Sequence, residues 1–291
     1  MTLDLYEQAP FRAAAGNEFR PGGLDLTEEL IGECHLQPGE RVLDLGCGVG
    51  STSRFMAQRW GVSVVGLDAS ARFLAEAEAG DDRDCGGGRD RDRGPDGHAC
   101  PDDRVSWVLG RADDIPYPDG YFDAVVSECF LSALDEPVRV LEEIQRVLRP
   151  PGRLAVTDVY LRKPEALVTL PPSRPLPAAA CLRGAAGQEK TLEWFEEAGF
   201  EVLTWRDHSE ALASLVASLI FTYGSAAAFW GAAIGYDPAV REVVTAARPG
   251  YYLLLAEPRS PAEQRSPSES RGAAESESPG ATRPFDGNSA K

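Results

Sequence analysis

The sequence predicts an α/β protein built on a mostly parallel sheet with helices on both faces. Three observations carry this expectation. Short apolar runs of strand length alternate with longer helical runs through most of the 291 residues, and parallel neighbours need a crossover of the kind such helices supply. The first run, Arg41-Val42-Leu43-Asp44-Leu45, ends in a glycine turn, Gly46-Cys47-Gly48-Val49-Gly50, that opens a helix at Ser51. The next run, Val64-Val65-Gly66-Leu67, ends on an acid, Asp68. Ligands of open α/β sheets gather at such carboxyl ends of strands.

The elements follow in order. A helix is expected over 24–34, after the turn-forming Arg20-Pro21-Gly22-Gly23. Strand 41–45, helix 51–60, strand 62–67 and helix 70–79 make the first crossovers. A strand over 105–109 leads into Gly110-Arg111-Ala112-Asp113-Asp114-Ile115-Pro116-Tyr117. Pro118-Asp119-Gly120 is a turn that feeds the apolar strand 122–127, which stops at Ser127-Glu128. Helix 136–148, the turn Pro150-Pro151-Gly152 and strand 152–159 come next. Helix 188–198, strand 200–206, an apolar helix over 208–222 and strand 250–256 close the pattern.

Two segments lack anything to bury. The stretch Gly80 to Arg104 is almost wholly Asp, Arg and Gly, and Pro258 to Lys291 is rich in Ser, Pro, Glu and Gly; both are expected to be disordered. The expected organisation is therefore an N-terminal helical lead-in over 1–40 and a catalytic domain over 41–257. That domain carries the insertion 80–104 and a helical insertion over 207–248, and a tail follows over 258–291.

Charge and composition exclude several functions. A net charge of −17 argues against nucleic acid, whose phosphates are bound by clustered Lys and Arg. No apolar stretch reaches bilayer length, so no membrane partner is expected. The six cysteines are scattered, three of them in core elements, which suits reduced thiols and a cytoplasmic location. Cys85, His98 and Cys100 fit no common zinc spacing, so no metal is expected.

The glycine turn is where chemistry is expected. Glycines at 46, 48 and 50 let the backbone approach a ligand closely, with the N–H groups of a helix start beside it. A dinucleotide fingerprint needs a sixth-place glycine, and Ser51 stands there. Asp44, just before the turn, suits a cation such as the ammonium of a methionine-type tail better than a pyrophosphate. Asp68 is placed to accept from both hydroxyls of a ribose, though an N-cap for the following helix is the plainer alternative.

With Asp44-Leu45-Gly46-Cys47-Gly48, Asp68, the segment 110–117 and the Pro-Gly turn in order over about 40–160, the chain resembles the class I S-adenosylmethionine (SAM) dependent methyltransferases. The resemblance implies a Rossmann-like, seven-stranded sheet whose last strand, 250–256, inserts antiparallel beside its predecessor. It implies SAM as cofactor, a small-molecule methyl acceptor, and cofactor contacts at Asp44, Gly46, Cys47, Gly48, Asp68, Ala112, Asp113 and Ser127. In it Ala112-Asp113 lies beside the adenine, and Arg111 replaces the family's usual acid. Cys181-Leu182-Arg183-Gly184-Ala185 is similar to a cysteine setting in arsenite methyltransferases, where the cysteine binds the arsenical.

If the acceptor is an oxygen or nitrogen, a base must take its proton, and Asp158 and His208 are the expected candidates. If it is a thiol or an arsenical, Cys181 is the candidate catalytic residue. Residues 19–23, with Tyr6 nearby, are placed to fold over the methionine end of the cofactor. A SAM-fold module that binds without catalysis, and less favourably a nicotinamide-dependent oxidoreductase, are the alternative functions.

Overall fold

The computed structural model describes residues 20–84, 104–169 and 180–259. Tyr6, Cys85, His98, Cys100, most of the 80–104 insertion and nearly all of the 258–291 tail lie outside the described residues. Seven strands form one sheet: β1 (Arg41–Leu45), β2 (Ser63–Asp68), β3 (Val105–Leu109), β4 (Phe122–Glu128), β5 (Leu148–Leu161), β6 (Phe200–Asp207) and β7 (Pro249–Pro258). Their spatial order is β3-β2-β1-β4-β5-β7-β6. The first five pair in parallel, and β7 runs antiparallel between β5 and β6. This is the Rossmann-like arrangement expected, with its reversal at β7.

The helices are α1 (Gly23–Gly32), α2 (Ser51–Trp60), α3 (Ala71–Asp84), α4 (Pro137–Val147), α5 (Ala180–Arg183), α6 (Gln188–Glu197), α7 (Ser209–Thr222), α8 (Ala226–Ile234) and α9 (Pro238–Ala247). Strand alternation divides the interior into two layers. Leu43, Leu45, Val125, Leu154 and Val156 pack with Val140, Leu141 and Ile144 of α4 and Phe195 of α6. On the other face Val42, Ala124, Val126 and Ala155 pack with Leu26, Leu30 and Ile31 of α1 and Met56 of α2. The order of strands thus brings the carboxyl ends of β2, β1 and β4 side by side.

Two boundaries differ from expectation. Helix α3 continues five residues past 79, because Gly80-Asp81-Asp82-Arg83-Asp84 extends a turn already formed; its glycine packs under Arg54. The 207–248 insertion holds three helices where the sequence suggested one. Ser225 Oγ accepts from Ala228 N at 3.1 Å to start α8, and Asp237 with Pro238 starts α9, which are ordinary N-terminal signals. These helices bury a small core of their own, including Leu219, Phe229, Ile234 and Val244. No single described helix is long and apolar enough to cross a membrane; α7 and α8 together reach that composition but meet at a bend of 109°.

Candidate functional site

The turn after β1 needs left-handed backbone at three places: φ is +77° at Gly46, +54° at Gly48 and +78° at Gly50, a region that side chains disfavour. Gly46 N and Cys47 N donate to Leu67 O at 2.8 and 3.2 Å, which fastens the turn to β2. A Cβ on Gly46 would lie 2.6 Å from the Phe130 ring, and one on Gly66 2.5 Å from the Trp107 ring. Around Gly48 there is open space to 4 Å. The turn is therefore packed beneath and clear above.

Asp68 joins the two strand ends. Its Oδ2 accepts from Gly48 N at 2.9 Å and its Oδ1 from Ser70 N at 2.8 Å. The carboxylate thus holds the glycine turn and begins α3 at once; burial raises its pKa. Asp44 is 3% exposed and accepts from Ser53 Oγ at 2.6 Å. Burial pushes its carboxyl up to about 7, with Glu128 and Asp68 adding like charge. Cys47 packs its sulfur against Gly66 beneath the turn, so only its backbone faces the cradle. Burial raises its thiol pKa steeply.

At the end of β4 stands a buried polar network between residues far apart in the sequence. Glu128 receives Thr52 Oγ1 at 2.7 Å, Thr27 Oγ1 at 2.9 Å and Arg20 Nε at 3.0 Å. The side chains of Arg20 and Glu128 are each only 6% exposed. Arg20 Nη2 donates to Thr27 Oγ1 at 2.5 Å. Burial alone would lower the Arg20 pKa, but Glu128 foremost, then Tyr251 and Asp44, hold it above the ordinary value. The only sequence signal for this cluster was the Arg20-Pro21-Gly22-Gly23 turn. Ser127, on the adjacent residue, is fully buried and its Oγ finds no hydrogen-bond partner among the described residues. Such an orphan is uncommon in a ligand-free interior.

The expected adenine segment is held by α4: Ile115 N donates to Glu143 Oε2 at 3.0 Å, and Arg146 donates to Tyr117 O and Ile115 O at 2.7 and 2.9 Å. Asp113 pairs with its neighbour Arg111. Arg111 Nε and Nη2 bind its two oxygens at 2.8 and 2.7 Å, and that pairing holds its pKa low. The Asp113 carboxylate is thus turned to Arg111, and Ala112 beside it is buried.

The two expected bases are not brought together. Asp158 is wholly buried; it accepts from Ser132 N at 2.8 Å, Ser132 Oγ at 2.5 Å and Val159 N at 2.7 Å. Burial raises it to about 6. In this geometry the carboxylate fixes the turn after β4 through Ser132. His208 precedes α7, its N–H bonded to Tyr251 O at 2.7 Å. Its Nε2 makes no hydrogen bond and lies 3.4 Å from Glu29 on α1, away from Asp158 on the opposite face of the sheet.

Cys181 has company that the sequence did not reveal. Gly184 N donates to Ser132 O at 3.0 Å, and a Cβ on Gly184 would sit 2.6 Å from that oxygen, so α5 is docked tightly on the turn after β4. Cys181 and Cys129 pack on the same apolar layer. Cys129 itself has φ +52°, and its Sγ lies 3.1 Å from Tyr251 OH. Neither cysteine is in a disulfide.

The arrangement fits a SAM-type cofactor: an open turn, an acid at the neighbouring strand end, buried acids for a cationic tail and an unsatisfied hydroxyl beside them. Residues 43–156 match the family described as Methyltransferase domain. Methyltransferase GfsG of Streptomyces halstedii is 34% identical over 140 residues, which cover 48% of this chain and 45% of that protein. The chain is also similar to the solved structure of the [4+2]-cyclase SpnF, with a TM-score of 0.64 and 28% identity over 88% of this chain and 93% of that one. The structure of Haemonchus contortus phosphoethanolamine N-methyltransferase 2 with S-adenosyl-L-methionine superposes with a TM-score of 0.66 at 18% identity, covering 86% of this chain and 56% of that one; this last likeness is one of fold alone. The chain spans about half the length of curated relatives such as GfsG.

Proposed function

We propose that this chain is a class I SAM-dependent methyltransferase that transfers a methyl group to a small-molecule acceptor, a reading supported by its sheet order and by the Methyltransferase domain match at 43–156. The observation that carries the reading is the Asp68–Gly48 contact beneath an open glycine turn. Asp68 would take the ribose hydroxyls with its remaining lone pairs, the backbone of Gly46 to Gly48 would face the cofactor, and Ala112 with its neighbours would line the base. Asp44 and Glu128 would face the cationic end. When bound, SAM supplies an electrophilic methyl on a sulfonium, so the chain's own task is mainly alignment and exclusion of water.

The domain limits 41–257 with lead-in and tail, a cytoplasmic location, and the absence of nucleic-acid or membrane partners belong to this same proposal; the charge of −17 supports the exclusion of nucleic acid. Apolar and soft groups that pack on one layer of the core, among them Leu182, Leu212, Cys129 and Cys181, favour an acceptor that is largely apolar or thiol-seeking. The reading is tested by calorimetry with SAM and with NAD, followed by a methyl-transfer screen over thiols, arsenite, quinols and amines that measures S-adenosylhomocysteine release. Binding of NAD in place of SAM would overturn it.

A second reading rests on the likeness to the cyclase SpnF over nearly its whole chain. In it the fold shapes a pocket and the cofactor stays intact. SAM binding with no S-adenosylhomocysteine release from any acceptor, alongside [4+2] cyclisation of a substrate bearing a diene and an alkene, would favour it.

A further inference from the structure

We propose that Arg20 reads the α-carboxylate of the cofactor's amino-acid end, as the positive arm of a charge clamp whose negative arms, Asp44 and Glu128, read the ammonium. The proposal rests on the reading of the glycine turn as a SAM site. An α-amino acid brings one anion and one cation a few bonds apart. At the joined ends of β1 and β4 the chain sets two buried carboxylates against one buried guanidinium, with Arg20 Nε 3.0 Å from Glu128 Oε1 and Asp44 near enough to raise the arginine's affinity for its proton.

The position of Arg20 is built from several sides. Gly22 has φ +78°, and a Cβ there would fall 2.6 Å from Leu26 Cβ, so the turn into α1 accepts only glycine. Thr27, one turn into α1, accepts from Arg20 and donates to Glu128 at 2.9 Å. Thr52 links the same Glu128 to the first turn of α2, two residues past Gly50. The guanidinium is thereby fixed relative to the cofactor turn and not only to its own helix.

Energetics favour a ligand role over simple bracing. Two charges withdrawn from water recover their desolvation cost only with good geometry, and apolar replacements of buried pairs are often as stable or more so. A zwitterion entering this cluster adds a partner for each sign, so the pair is desolvated once for both purposes. Arginine suits the task because its planar fork matches a carboxylate with two parallel N–H donors.

The test compares three adenosyl ligands on the full-length protein and its Arg20→Met variant by calorimetry, with thermal melts alongside. S-adenosylhomocysteine carries both charged groups, decarboxylated SAM lacks the carboxylate, and methylthioadenosine lacks the whole amino-acid end. Expected is a loss of roughly 10- to 100-fold on S-adenosylhomocysteine, the range of a charge-assisted pair, with changes under about twofold on the other two. Equal losses on all three ligands, or no loss on S-adenosylhomocysteine, overturn the proposal and leave Arg20 as a brace. If Arg20→Met does not fold, Thr27→Val, which frees the guanidinium from its tether, must show the same selective loss, and an unselective one sinks the idea. Failure of the wild type to bind any of the three would instead defeat the cofactor reading itself.

Discussion

Asp68 Oδ2 holds the amide of Gly48 at 2.9 Å across the gap between β2 and the turn after β1. One carboxylate thereby shapes the cradle and stands at its rim, so the two roles expected of it, cap and ligand, are not exclusive. Asp68→Ala is expected to weaken SAM binding at least about tenfold through lost charged hydrogen bonds. Because Gly48 N and Ser70 N both lose an acceptor, it also costs about 1–2 kcal/mol of stability. Asp68→Asn keeps one carbonyl acceptor and should recover part of the stability but little of the affinity. Calorimetry and denaturant melts on both variants check this; unchanged affinity in a folded Asp68→Ala protein would remove the residue from the site.

Asp44 supplies a pH signature. Its folded-state pKa is raised to about 7 by burial, above the ordinary value of about 3.9 in an unfolded chain. Between those values the folded protein keeps a proton that the unfolded chain has released, so stability falls as pH rises from about 4 to about 7 and levels off above. Asp158, raised to about 6, adds to the same trend. Asp44→Asn retains an acceptor for Ser53 and removes the buried charge; at pH 8 it is expected to melt no lower than the wild type. Its affinity for the cationic cofactor should drop at least about tenfold, while wild-type affinity climbs between pH 6 and 8 as Asp44 ionises. A pH-independent binding constant would contradict this role.

The sheet and the cradle were legible because their signals are local. Glycines at 46, 48 and 50 and an acid at 68 sit within single strand-turn-helix units, and alternation of apolar runs fixed the crossovers. The Arg20–Glu128–Thr27 network was not legible, since its partners stand 101 residues apart between Thr27 and Glu128 and only the strand order brings them together. The surroundings of Asp158 were hidden for a related reason. A strand-terminal acid looks like a cleft residue, but alternation turned it inward onto Ser132. Arg111 and Asp113, two charges two residues apart, gave no sign that they would occupy each other.

Trp107 makes a packing prediction. Its ring lies over Gly66, where a Cβ would approach to 2.5 Å, and Cys47 Sγ closes the other side at 3.0 Å. Gly66→Ala is expected to cost about 1–3 kcal/mol by overpacking. Pairing it with Trp107→Leu should return much of that loss, because the ring is the nearer obstacle. Denaturant melts of the two single variants and the double one measure the coupling; simple additivity would show that the ring does not set the limit.

Cys129 and Cys181 test the proposed nature of the acceptor. Burial raises the Cys129 thiol well above its ordinary pKa, with Asp158 and Cys181 adding to the effect, so at neutral pH it is a protonated, packed side chain. Cys129→Ser and Cys181→Ser are each expected to cost roughly 1–2 kcal/mol of stability and to leave S-adenosylhomocysteine affinity within about twofold, since neither residue belongs to the cofactor cradle. On an oxygen or nitrogen acceptor turnover should persist in both. A thiol-seeking acceptor gives the opposite pattern, because serine is a poor ligand for a soft centre: transfer would vanish in both variants at nearly unchanged melting temperature. Loss of transfer in Cys181→Ser alone would place the acceptor against α5 and leave Cys129 as packing beside Tyr251.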